Sequence, residues 1–209
     1  MKINKKKRIT KGICIAFLGP DGSGKTTIIN SLGADLKNKF NEIHYFHFRP
    51  FFLSKSNIKN ELNSNPHGHD NRSLILSTLK IIYFYLDYIL GFYFKISHLK
   101  NNGNLILFDR YFNDLLIDPR RYRYGGSLKL ARMINKFIPS PDLYILLDAS
   151  VKKIQNRKNE VSLKEILRQK KEYIEFCSKN RNSIVIKTNK SIYHATKKIK
   201  LIIDSLLYH

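Results

Sequence analysis

The 209-residue chain reads as an α/β protein, a doubly wound five-stranded parallel sheet flanked by helices. Three observations predict this. Apolar runs of strand length, residues 12–18, 42–48, 105–109, 142–148 and 183–187, alternate with stretches of helical periodicity. The first run passes straight into a glycine-rich loop and then a helix, residues 19–27 reading Gly-Pro-Asp-Gly-Ser-Gly-Lys-Thr-Thr. The polar residues most suited to chemistry fall just after strands, at the edge where such sheets bind ligands.

The loop fits G-x-x-x-x-G-K-[ST], the phosphate-cradling loop of P-loop NTPases. Gly19, Gly22 and Gly24 let backbone N–H groups converge on phosphate oxygens, with Asp21 and Ser23 between them. Lys25 is placed to reach the β- and γ-phosphates of ATP, Thr26 to hold Mg²⁺, and Thr27 continues the loop into the helix. An ordinary glycine turn would have no use for Lys-Thr there. Ile28, Ile29, Leu32 and Leu36 give the helix, about 25–40, its apolar face. The second strand ends at Arg49-Pro50, and Pro50 biases Arg49 away from the helical region, at the mouth of the sheet.

Residues 51–71 form a polar loop holding His67-Gly68-His69-Asp70, either a metal-binding tract or a loop near the substrate. Residues 72–100 read as one long helix, apolar all round at its centre. That centre, 81–94, reads as too short, and too interrupted by Lys80, Asp87 and Lys95, for a membrane span. It suits a buried position with a homodimer interface, or contact with a membrane surface. The third strand ends in Asp109, a carboxylate where P-loop enzymes hold the metal, followed by Arg110 and Tyr111. Arg120, Arg121 and Arg123 interleave with tyrosines in the next loop, either a solvated basic loop or a clamp for an anionic acceptor. A helix over 128–137 precedes the fourth strand, and helices follow over 150–158, from a Ser162/Glu165 capping box to about 180, and over 191–207. Thr188 and Asn189 follow the fifth strand.

The net charge is +22, from 38 Lys and Arg against 16 Asp and Glu. Nucleotide phosphates account for several cations. The surplus suits an anionic membrane or polyanion, without marking a specific nucleic acid, or else reflects an AT-rich coding bias toward Lys, Asn and Ile. Two cysteines, Cys14 and Cys177, make no disulfide framework and suit a cytoplasmic setting, with the inner membrane face as a second one. The organisation expected is a basic arm over 1–11 and a single P-loop domain over 12–209, with a lid at about 157–164.

Over residues 11–207 the chain resembles the thymidylate kinase family. The loop of Gly19 to Thr27, the Asp109-Arg110-Tyr111 triplet and the Pro141-Asp142-Leu143 strand carry the resemblance. It implies a phosphotransferase using ATP and Mg²⁺ on a nucleoside monophosphate such as dTMP. It implies further that Asp21 contacts the acceptor sugar, that Arg49, Arg110 and Tyr111 meet the acceptor, that Arg157 acts from the lid with Lys158 and Arg168 nearby, and that Thr188-Asn189 packs on adenine. The chain departs from the family in having Leu18 before the loop, no Arg between Arg72 and Tyr93, and Phe112-Asn113-Asp114 after the triplet. Donor and metal residues thus match, while thymine-reading residues do not. A kinase for a sugar or surface-polysaccharide intermediate, and a nucleotide-binding module without turnover, are the alternatives.

Overall fold

The computed structural model describes residues 11–53, 70–157, 161–189 and 191–207. Five strands, β1 (Ile13–Leu18), β2 (Ile43–His47), β3 (Leu105–Asp109), β4 (Leu143–Asp148) and β5 (Ser183–Lys187), pair in parallel in the order β2-β3-β1-β4-β5. The helices are α1 (Lys25–Leu36), α2 (Leu74–Gly91), α3 (Ser97–Asn101), α4 (Asn113–Ile117), α5 (Leu128–Asn135), α6 (Val151–Arg157), α7 (Leu163–Lys179) and α8 (Ile192–Leu207). The predicted fold class therefore holds, with helix ends within four residues of those the periodicity suggests and α4 as an unforeseen short helix. Of the Ser162/Glu165 capping box only half forms. Ser162 Oγ accepts from the Glu165 N–H at 3.3 Å, while the Glu165 carboxylate turns to Arg168 and Gln169.

Strand alternation sorts the core into two layers. Cys14, Ala16 and Leu18 of β1 face α2, α4, α5 and α7, where Ile81, Phe84, Tyr88, Phe112, Leu115 and Tyr173 are buried. Ile13, Ile15 and Phe17 face the other way, onto Ile28, Leu32 and Leu36 of α1 and Ala195, Ile199 and Ile203 of α8. A strand covered on both sides has no polar face to offer, which is why β1 reads as an unbroken apolar run.

The segment predicted as one helix over 72–100 is continuous but not uniform, with a π-helical stretch, Phe92–Ile96, between α2 and α3. The continuous helical segment Leu74–Asn101 is 28 residues long and contains an 18-residue window of mean hydropathy 1.5, enough by length and composition to cross a membrane, so neither its length nor its charged residues exclude a span. Packing is what ties α2 to the sheet. Ser77, Ile81, Phe84, Asp87, Tyr88 and Gly91 form its buried stripe. Gly91 is required there, since a Cβ would lie 2.5 Å from Pro50 Cβ. The opposite face is exposed: Ile75 at 72%, Leu79 at 59%, and Ile82 and Leu86 at 44%. The helix is therefore apolar all round, as its sequence reads, but only one of its faces is buried. The His67-Gly68-His69 tract lies outside the described residues, as does most of the basic arm. Among the described residues no cluster of three metal-ligating side chains occurs.

Candidate active site

A cleft of about 440 Å³ opens at the carboxyl ends of β1, β2 and β3. Its floor is the glycine-rich loop: Asp21, Gly22, Gly24, Lys25, Thr26 and Thr27 line it. Gly22 and Gly24 hold φ angles of 80° and 97°, a region open to glycine at little cost, and this is what lets the loop fold around an anion. Lys25 Nζ donates to the loop's own carbonyls, Gly19 O at 2.7 Å and Pro20 O at 3.0 Å. Burial lowers its pKa to about 8, with Arg110 pushing the same way against Asp109 and Asp21. Gly19 and Ser23 shape the loop from behind rather than lining the cleft. Thr188 Oγ1 donates to Ser23 O at 3.3 Å, and Asn189 Oδ1 accepts from the Ser150 N–H at 2.7 Å.

Above the loop, Asp109 ends β3. Its Oδ2 accepts from Thr26 Oγ1 at 3.0 Å and from the Tyr45 hydroxyl at 3.3 Å, while its Oδ1 is buried with no hydrogen-bond partner among the described residues. An orphan carboxylate oxygen beside a threonine hydroxyl is a set of hard oxygen donors, which fits a Mg²⁺ ion. Arg110 takes a left-handed backbone, φ 78°, strained for a residue with a Cβ. Its N–H donates to Phe17 O at 2.9 Å, and the turn aims its guanidinium back over the loop.

That guanidinium is 3% exposed and sits between two carboxylates, donating to Asp21 and to Asp114. Arg121 donates to the other oxygen of Asp21. Tyr173 donates to Asp114 at 2.8 Å and completes the row. Burial works against the Arg110 charge, but Asp21 and Asp114 outweigh it and hold the pKa well above the ordinary value. Two cations thus face the cleft on one shared anion. Arg157 at the end of α6 reaches over the loop, donating to Gly22 O at 3.1 Å.

Several predicted residues are not brought into the cleft. Arg49 is 7% exposed and packs under α2, donating to Tyr83 Oη at 3.0 Å and Asp87 Oδ2 at 3.1 Å, with its guanidinium 4.4 Å from the Phe51 ring. Asp87 also accepts from the N–H groups of Phe51, Phe52 and Leu53, so this pair pins the loop after β2. Tyr111 is buried in the core, its hydroxyl donating to Pro139 O at 2.6 Å. Arg120 is exposed, and Arg123 donates to Asp70 O at 3.0 Å, outside the cleft. Arg168 belongs to α7, held by Glu165, Glu172 and Ile117 O, not to a lid. Conversely, sequence reasoning missed three residues. Asp114 was visible as an i, i+4 partner of Arg110. Asp87 stood out only as an interruption in an apolar run. His47 ends β2 as Asp109 ends β3 and lines the cleft, with burial lowering its pKa to about 4.

The family model for thymidylate kinase matches residues 17–203, which include every residue of this cleft. The chain belongs to the thymidylate kinase family. It is therefore a P-loop phosphotransferase, an ATP-dependent nucleoside monophosphate kinase. The fold agrees with two solved thymidylate kinases. The enzyme from Ehrlichia chaffeensis shares 16% identity at a TM-score of 0.64, over 92% of this chain and 99% of that one. The enzyme from Candida albicans shares 20% at a TM-score of 0.66, over 93% and 92%. No curated protein matches the sequence. These comparisons support a nucleotide acceptor and give no support to a sugar kinase or a non-catalytic module.

Proposed function

We propose that the cleft transfers the γ-phosphoryl group of ATP to the phosphate of a nucleoside monophosphate such as dTMP, with Arg110 and Arg121 as the acceptor-phosphate clamp. The observation that carries this reading is the shared hold of Asp21 on both guanidiniums, which sets two cations side by side opposite Lys25. A phosphate monoester dianion would fit between them, and arginine pairs suit it because each can donate two parallel N–H groups. Lys25 leaves the loop carbonyls for the β- and γ-oxygens when phosphate is present. The loop amides orient the donor, and Arg157 closes over it from α6 to offset charge in transfer. Thr26 and Asp109 would hold Mg²⁺, and a bound ion would supply positive charge to offset that of the donor phosphates. A phosphate acceptor already carries its nucleophilic oxygen, so these residues need position and neutralise rather than remove a proton.

Residues 157–164 act as the lid in this reading, with 158–160 lying outside the described residues. Ile192, at the cleft rim with Thr188 and Asn189 behind the loop, supports donor-base contact at the start of α8. The exposed stripe of Ile75, Leu79, Ile82 and Leu86 supports a homodimer through α2, since an apolar face of that length is costly in water. The buried, free Cys14 and Cys177 accord with a reducing, cytoplasmic setting.

The test is a coupled assay of ADP release across nucleoside monophosphates, nucleosides and sugar phosphates. We expect turnover with a thymidine or related monophosphate. Turnover confined to sugars would overturn the acceptor assignment.

A further inference from the structure

His47 occupies a position in the cleft to which the mechanism above gives no work. It is the last residue of β2, and its Cα pairs with that of Asp109. Side chains two apart on a strand share a face, so His47 lies on the face of Tyr45. The Tyr45 hydroxyl reaches Asp109 Oδ2 at 3.3 Å, which identifies that face as the one carrying the carboxylate. His47 lines the same cleft as Thr26 and Asp109. Among the described residues no side chain is hydrogen-bonded to its imidazole. Three features therefore meet at this corner: a threonine hydroxyl, a buried carboxylate oxygen with no partner, and an uncommitted ring nitrogen donor.

We propose that His47 is a ligand of the divalent cation, adding a nitrogen to the oxygens of Thr26 and Asp109. The proposal rests on the metal-holding role given to those two residues. Its consequence is chemical. Mg²⁺ demands oxygen ligands, whereas imidazole suits borderline ions such as Mn²⁺ and Co²⁺. A centre with one imidazole discriminates between metals more sharply than an all-oxygen one. It would bind Mn²⁺ with nucleotide far better than Mg²⁺ with the same nucleotide.

The experiment uses the full chain with Mn²⁺ and ADP as probe. Mn²⁺ binding is read by electron paramagnetic resonance, and nitrogen coordination by the echo modulation from histidine ¹⁴N, replaced on ¹⁵N-histidine labelling. We expect direct nitrogen coupling in the parent protein. We expect its loss in His47→Asn and His47→Gln, with Mn²⁺ affinity falling on the order of 10-fold and the Mn²⁺-over-Mg²⁺ preference falling with it. His44→Asn, on the opposite face with its ring 3.0 Å from Glu42, should leave the coupling in place. Tight Mn²⁺-ADP binding without nitrogen coupling overturns the role of His47 and leaves the Thr26–Asp109 metal site standing. Mn²⁺ binding untouched by Thr26→Val overturns both. The parent spectrum decides even where the His47 variants fail to fold.

Discussion

Lys25→Met should make the folded protein more stable and the enzyme inactive. The side chain is 6% exposed and its ammonium is held at a pKa of about 8, against an ordinary value of roughly 10.4. At about 1.36 kcal/mol per unit, the charged form is some 3 kcal/mol less comfortable in the fold than in water. Methionine keeps most of the apolar stem and removes the charge, but also loses two hydrogen bonds to loop carbonyls. A net gain of about 1–3 kcal/mol at pH 7 is expected. The pH dependence makes the cause identifiable. Below pH 8 both folded and unfolded chains hold the proton, so the cost is full. Between about 8 and 10.4 the folded state releases a proton that the unfolded state keeps, so parent stability rises with pH, by at most 1.36 kcal/mol per unit. The variant lacks that rise, and its advantage fades as pH approaches 10.4. Urea unfolding followed by circular dichroism at pH 7, 8.5 and 10 measures the difference, in which other lysines cancel. A variant less stable at pH 7, or an advantage that does not change with pH, would refute the reasoning. Phosphoryl transfer should drop by about 10³-fold or more, because the phosphate charge loses its nearest cation.

Three further outcomes follow from the same geometry. Arg121→Met should lower kcat/KM for the acceptor by about 10²-fold while leaving the KM for ATP within about twofold, since each charge-assisted contact is worth roughly 1.5–3 kcal/mol; initial-rate kinetics in both substrates check it. Asp87→Ala should destabilise the protein by about 3–5 kcal/mol, because it strands the buried Arg49 charge and three backbone N–H groups; denaturant midpoints measure this, and a loss seen only in acceptor KM would return Arg49 to the acceptor site. Leu79→Glu with Ile82→Glu should turn a homodimer into a monomer without altering the fold, read by light scattering after gel filtration.

The sequence by itself determined the alternation of strands and helices along the chain, the phosphate loop and the carboxylate at the end of the third strand. These are local: a glycine pattern, a Lys-Thr pair and a carboxylate at a strand end each declare themselves within a few residues. It also carried the family, because the loop and Asp109-Arg110-Tyr111 are each short contiguous motifs, which the structure brings together at the ends of adjacent strands, β1 and β3. What only the tertiary structure decided was partnership across long separations. Arg49 and Arg121 both read as loop arginines suited to an anionic acceptor. One is claimed by Asp87, 38 residues on, and becomes part of the core; the other is claimed by Asp21, 100 residues back, and faces the cleft. A buried cation goes where a carboxylate can offset its desolvation, and which carboxylate comes within reach is set by helix packing rather than by neighbours in sequence. His47 emerged for the same reason, since only sheet register sets it beside Asp109.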